Sequence, residues 1–217
     1  MRWKLTVAAC AALCAMASSA RAGMLITEWM YSGNDGEYIE FTNTGPAPID
    51  MTGWSFDDDS RLAGTIDLSA YGVVNVGESV ILTEVAAPAT FRTSWSLPGT
   101  VKVIGGNAAN LARNDEMNLY DNAMALIDRL TYGDQNIPGT IRTQNRSGNP
   151  SSPAALGANN VALWQLAVDG DAFGSHLGAL GDLGSPGAYV VPEPTGALLM
   201  LLGGLALLIA RKRSRPA

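Results

Sequence analysis

The sequence predicts an all-β sandwich on three observations. Short runs alternate apolar and polar residues with period two, turn residues separate them at close spacing, and no convincing amphipathic helix occurs between residues 24 and 133. Brief strands punctuated by Gly, Pro and Asn are the pattern of packed antiparallel sheets. Leu25 to Tyr31 is bulky and aromatic and ends in Ser32-Gly33-Asn34-Asp35-Gly36, which is turn chemistry. Glu37 to Asn43 then places Ile39 and Phe41 on one face and Tyr38, Glu40 and Thr42 on the other, which predicts a strand buried on one side only. Thr44-Gly45-Pro46-Ala47-Pro48 breaks it. Ile49 to Phe56, carrying Trp54, reads as one strand that stops at Asp57-Asp58-Asp59-Ser60. Val80 to Thr83 follows a Gly77-Glu78-Ser79 turn, and Val101 to Ile104 is framed by Gly99 and Gly105-Gly106. Glu116 to Tyr120 and Ala125 to Tyr132 bracket Asp121-Asn122-Ala123-Met124 and read as a hairpin. Phe91 to Leu97 is the most plausible helical turn.

Both ends of the chain differ from this body. Met1 to Lys4 is basic, Leu5 to Ala17 is an apolar run, and Ala20-Arg21-Ala22 is a small-x-small site. This is the layout of a secretory signal peptide over residues 1–22, with Ala20 and Ala22 marking the cleavage site. Both cysteines, Cys10 and Cys14, lie inside it, so the exported chain is expected to have no disulfide support and to depend on burial. Residues 23–191 carry seven Lys or Arg against nineteen Asp or Glu, a net charge of −12 where the whole chain has −6. That charge repels phosphate backbones and disfavours a nucleic-acid partner.

At the other end, Val191-Pro192-Glu193-Pro194 precedes an apolar stretch over 196–210 and a basic cluster of Arg211, Lys212, Arg213 and Arg215. As a helix the stretch reaches roughly 22 Å, against about 30 Å of hydrocarbon in a bilayer. It predicts a single short transmembrane helix, with the basic cluster snorkelling on the cytoplasmic side. Residues 190–215 resemble the PEP-CTERM sorting signal of Gram-negative bacteria, which has these three features in this order. The resemblance implies an exosortase-type processing enzyme as partner, transient membrane attachment at the inner membrane, cleavage near Pro192, Glu193 and Pro194, and delivery to the cell surface or exopolysaccharide matrix.

A second resemblance covers the body. ITEWMY, GEYIEFTNTG, IDMTGWSFDDD, VGESVILTE and LARNDEMNLYDNAMALIDRLTYGD occur in the order of blocks seen in the lamin-tail domain. Glu37-Tyr38-Ile39-Glu40, Asn43, Gly53-Trp54 and Leu119-Tyr120-Asp121 carry the match. The resemblance implies an immunoglobulin-like β-sandwich over 23–133, with Trp54 in its core and Glu40 and Asn43 fixing strand ends. That family is not known as catalytic and occurs as an accessory module for binding or attachment. Residues 134–189 form a turn-rich extension with one more strand around Ala162 to Val168; it either packs Trp164 onto the sandwich, which is the expectation, or is partly disordered.

The residue chemistry offers little for catalysis. His176 is the one histidine and sits in a glycine-rich loop, where a solvated side chain is expected. Without a cysteine after residue 22 there is no thiol nucleophile, and no Gly-x-Ser-x-Gly elbow or Walker loop occurs. Glu28, Glu37 and Glu40 are the candidates for a hydrolase acid pair. Asp57, Asp58 and Asp59 are candidates for calcium, although their spacing is not that of an EF-hand and solvated turn residues explain them more simply. No cofactor is expected. The reading is a non-enzymatic exported surface or matrix protein. The alternatives are a carbohydrate-binding module using Trp29, Trp95 or Trp164 as stacking faces, and a small acid-dependent hydrolase. Exposed tryptophans mark the first alternative, and two carboxylates facing each other across a pocket mark the second.

Overall fold

The computed structural model describes residues 23–190. The signal peptide with Ala20 and Ala22, the Pro192-Glu193-Pro194 motif and the apolar stretch 196–210 lie outside the described residues. Among those described, no helix is long and apolar enough to cross a membrane.

The fold is mostly β, with several sheets and one short α-helix. A six-stranded sheet has the order β12-β11-β1-β2-β7-β8, built from Trp164–Leu166, Gly148–Pro150, Met24–Met30, Tyr38–Asn43, Ser79–Thr83 and Lys102–Ile104 respectively. A four-stranded sheet has the order β10-β9-β4-β5, from Leu126–Gly133, Asn114–Tyr120, Ser55–Asp57 and Ile66–Asp67. Two short ribbons complete it: β3 (Ile49–Asp50) with β6 (Val73–Val74), and β13 (His176–Leu177) with β14 (Leu183–Gly184). The one parallel pair among the named strands, β7 with β8, is joined by α1 (Pro88–Ser94). A parallel pair needs such a crossover connection, whereas a hairpin serves antiparallel neighbours. Pro88 opens this helix, where its missing N–H costs nothing; it therefore begins three residues before the turn expected at Phe91.

The two larger sheets share one core. Ile39 and Phe41 from β2, Trp29 from β1, Phe56 from β4, and Met117, Leu119, Leu130 and Tyr132 from the β9–β10 hairpin are all buried in the same cluster. Phe41 meets Phe56 at 6.1 Å between ring centroids, and Trp29 lies 5.4 Å from Tyr132. The predicted hairpin is β9–β10, pairing Met117 with Leu130 around the Asp121 turn.

Two expectations need correcting. The run Ile49 to Phe56 is two strands in different sheets. Gly53 has φ of 78°, a left-handed conformation that glycine adopts without strain. Asp50 accepts from the Thr52 N–H at 3.0 Å, and the chain turns before β4 starts. Strand β2 is buried on both faces, not one. Its apolar face packs on the four-stranded sheet, and its polar face is covered by residues far along the chain.

The extension beyond residue 133 supplies part of that cover. It adds β11 and β12 to the edge of the larger sheet, with Trp29 opposite Gly148. A Cβ at Gly148 would come within 2.7 Å of the Trp29 ring. Trp164 packs edge-on against Trp29 at 4.8 Å.

Candidate functional site

The residues with the most unusual chemistry line the polar face of β1 and β2. A register irregularity between Ile26 and Glu28 makes this face. In a regular strand Ile26 and Glu28 would share a side and Trp29 would point the other way. The extra residue changes the parity. Ile26 and Trp29 both join the core, and the side chains of Thr27 and Glu28 both engage the polar layer. Asp128 on β10 accepts from the Ile26 N–H at 2.9 Å and satisfies the amide at the start of the irregularity.

Glu28 and Glu40 stand opposite one another in register, and each is 1% exposed. Like charges in directly opposed positions repel, and burial removes the water that would screen them. Their oxygens are supplied with donors. Glu28 Oε1 accepts from the Ser147 hydroxyl and from the Ser185 N–H at 2.8 Å. Glu40 Oε1 accepts from the Thr27 hydroxyl at 2.6 Å, and Oε2 from the Gly187 N–H at 2.8 Å. Thr27, Thr42 and Ser79 continue as a chain of hydroxyls at 2.8 and 2.7 Å. Burial pushes the Glu28 carboxyl up, and burial followed by the charge of Glu28 pushes Glu40 up to about 8. The donors oppose these shifts without cancelling them.

The cover over this pair is the segment 185–189, which turns at Pro186-Gly187, where Gly187 has φ of 96°. Its alternate N–H groups, from Ser185, Gly187 and Tyr189, donate to Glu28 on β1, Glu40 on β2 and Ser79 on β7 in turn. Those three strands are adjacent in the sheet. The segment is therefore a strap laid across the strands, hydrogen-bonded to side chains and not to a strand edge. Gly184 lets it approach, because a Cβ there would collide with the Tyr38 hydroxyl. The strap's root is fixed by Asp182 and Asp35. Asp182 accepts from the Asp35 N–H at 2.6 Å and the Asn145 side chain at 2.8 Å, and Asp35 accepts from Leu180 N–H at 3.0 Å.

Glu37 is separate from this pair. Odd-numbered β2 positions face the core, and Glu37, just before the strand, accepts from the Leu111 N–H at 3.0 Å. Burial pushes it up to about 8, helped by the charges of Glu84 and Asp115. Of the three acids picked from sequence, Glu28 and Glu40 come together and Glu37 does not. The two that meet are sealed beneath protein. The groove beside the strap, lined by residues including Thr42, Val76, Pro153, Leu156 and Tyr189, carries no carboxylate.

An open polar cleft lies at Asp59, Arg61, Asp115, Glu116 and Thr131. Glu116 loses some solvation there, yet hydrogen bonds from Arg61, Asn118 and Thr131 and the charge of Arg129 hold it down at about 2. Sequence reading missed this cluster because Arg61 and Glu116 are 55 residues apart.

The other candidates are placed as follows. Asp57 is buried at the end of β4, with one oxygen accepting from Ser60 and from the Leu62 N–H; Asp58 accepts from the Ser60 N–H, and Asp59 is exposed. Among the described residues no three His, Cys, Asp or Glu side chains converge to hold a metal ion. Trp29, Trp95 and Trp164 are 0%, 1% and 6% exposed, so none presents a stacking face to solvent. Their rings instead fill the core and the cluster under α1, where Trp95 meets Tyr38 and Phe91. His176 is not a free loop side chain. It belongs to β13, lies against the Trp95 ring at 5.9 Å, and places Nε2 3.2 Å from the Trp95 carbonyl.

A family model for the lamin tail domain matches residues 17–134, more than half of the chain. The chain belongs to the lamin tail domain family. The match covers β1 to β10 and stops where the extension begins. In this lamin tail domain protein, Glu28 and Glu40 fall inside the matched region, while Ser147 and the strap that close over them fall outside it. No curated protein matches the chain.

Proposed function

We propose that this is an exported, non-enzymatic protein of the cell surface or exopolysaccharide matrix of a Gram-negative bacterium. In this reading the body is an immunoglobulin-like sandwich of the lamin-tail type, and the residues after it are a PEP-CTERM signal. One observation carries the proposal: Pro192-Glu193-Pro194, the apolar stretch 196–210 and the basic cluster from Arg211 to Arg215 occur in that order, opposite an N-terminal export signal ending at Ala22. A short apolar span holds the body at the inner membrane only marginally. In this reading Pro192-Glu193-Pro194 presents the site to an exosortase-type enzyme. Cleavage there releases the acidic body, whose net charge of −12 over residues 23–191 keeps it soluble.

A non-enzymatic role is supported by the chemistry of the acids. Glu28 and Glu40 are occupied by donors and closed over, which leaves no room for a substrate between them. Inward-facing tryptophans likewise give the carbohydrate-binding alternative no stacking platform. Mass spectrometry of the protein's C-terminus tests the proposal, comparing the wild-type strain with one lacking the exosortase. The expected end falls near Pro192–Pro194 in the wild type only. An extracellular protein that retains Arg211 to Arg215 overturns it.

A further inference from the structure

We propose that residues 185–189 are a proton-controlled latch: the strap stays seated on β1, β2 and β7 while Glu28 and Glu40 hold at least one proton between them, and it leaves the sheet before global unfolding once both are ionised. The argument is geometric. The strap's alternate N–H groups are spent on three side chains in neighbouring strands, and two of those side chains are carboxyls opposed in register and 1% exposed. Two buried anions so placed are relieved most directly by water, and the strap is what keeps water out.

The groups acting on the pair are consistent with this. Tyr38 of β2 and Tyr189 of the strap lie within electrostatic reach, and both are made harder to ionise, first by burial and then by these carboxylates. The remaining partners, the hydroxyls of Thr27, Thr42, Ser147 and Ser185 and the Ser185 and Gly187 backbone, are neutral dipoles. None of the ion pairs among the described residues involves Glu28 or Glu40, so no cation compensates a second negative charge. Sheet pairing does not depend on the strap. Strands β1, β2 and β7 retain their ladders and their apolar face when it lifts. Opening is therefore local, as expected for a segment held by a few hydrogen bonds and by the packing of one ring, Tyr189, against Phe173 and the core. The latch stands whether or not Pro192–Pro194 is a processing site.

Amide hydrogen exchange on the full exported chain in detergent micelles tests this between pH 5 and pH 9, after correction for the intrinsic pH dependence of exchange. Protection at Ser185, Gly187 and Tyr189 is expected to fall by about tenfold or more, the factor that one pKa unit of coupling carries, while Phe41 and Leu119 hold theirs. Glu40→Gln, which stays neutral at every pH, is expected to keep the strap protected at pH 9, and Glu28→Gln provides the same test from the other strand. Strap protection that is unchanged from pH 5 to pH 9 in the wild type overturns the proposal. So does loss in step with Phe41 and Leu119.

Discussion

The two faces of the six-stranded sheet are both buried, by opposite means. On the inner face Ile39, Phe41 and Trp29 press against Phe56, Leu119 and Tyr132, and no polar pairing is required. On the outer face Thr27, Glu28, Glu40, Thr42 and Ser79 are as fully excluded from water, and each must find a partner. Dispersion and the hydrophobic effect tolerate imprecision; buried hydrogen bonds and charges do not. The inner face is thus the source of stability, and the outer face is where small chemical changes have directional consequences. A cluster around Phe91 and Trp95 under α1 covers the remainder of that outer face with apolar contacts.

Truncating the inner face should have the largest effect. Phe41 is fully buried between the sheets. Phe41→Ala is expected to cost about 3–5 kcal/mol in urea unfolding, combining lost burial with a cavity. A loss below about 1 kcal/mol would mean that the two sheets do not share one core and would break the contrast.

The outer face should give the protein an unusual pH profile. Glu37 and Glu40 titrate at about 8 in the folded chain, from 4.5 for an exposed glutamate. The folded state therefore binds more protons than the unfolded state between those values. Their contribution is complete below about pH 4.5 and lost as pH rises towards 8, at a rate of order 1 kcal/mol per pH unit for each carboxyl. Glu116 works the other way. Its folded value of about 2 makes stability fall as pH drops from 4.5 towards 2. Thermal unfolding across pH 3 to 9 should peak in the mildly acidic range near 5, and Glu40→Gln should flatten the alkaline side. A maximum at pH 8 would show that the buried acids ionise freely.

This contrast was half legible in the sequence. The alternation of Ile39 and Phe41 with Tyr38, Glu40 and Thr42 is a local signal, and it correctly separated the faces of β2. That the second face is covered as well was not local. The groups that close over Glu28 lie 119 and 157 residues away, at Ser147 and Ser185, and period-two patterning carries no information about them. The run MLITEWM showed no clean alternation because the irregularity between Ile26 and Glu28 shifts its parity. Trp164 was placed against the body through its apolar bulk, yet its strand pairs with Gly148–Pro150, three residues that look like a turn. Glycine is required there by contact with the Trp29 ring, which only the assembled sheet reveals.

That close approach gives a more moderate test. Gly148→Ala inserts a methyl within 2.7–2.9 Å of Trp29 and Thr143, where the flat indole cannot give way without moving Trp164 and Tyr132. A loss of about 1–3 kcal/mol is expected from overpacking, together with a change in tryptophan fluorescence. An unchanged spectrum and stability would mean that the extension does not press on the core through this residue.

The smallest effect should come from a site belonging to neither face. Met124 closes the β9–β10 hairpin at φ of 61° and is 73% exposed. Its N–H donates to Asp121 at 3.0 Å, so the left-handed conformation is imposed by the turn and not by packing of the side chain. A side chain there costs roughly 1 kcal/mol relative to glycine, whose greater freedom in the unfolded chain returns part of that gain. Met124→Gly is therefore expected to raise stability by about 0.5 kcal/mol or less, with no change in the pH profile or in strap protection. If it instead altered either, the hairpin tip would be coupled to the sheet's outer face, and the separation between the two buried faces would have to be redrawn.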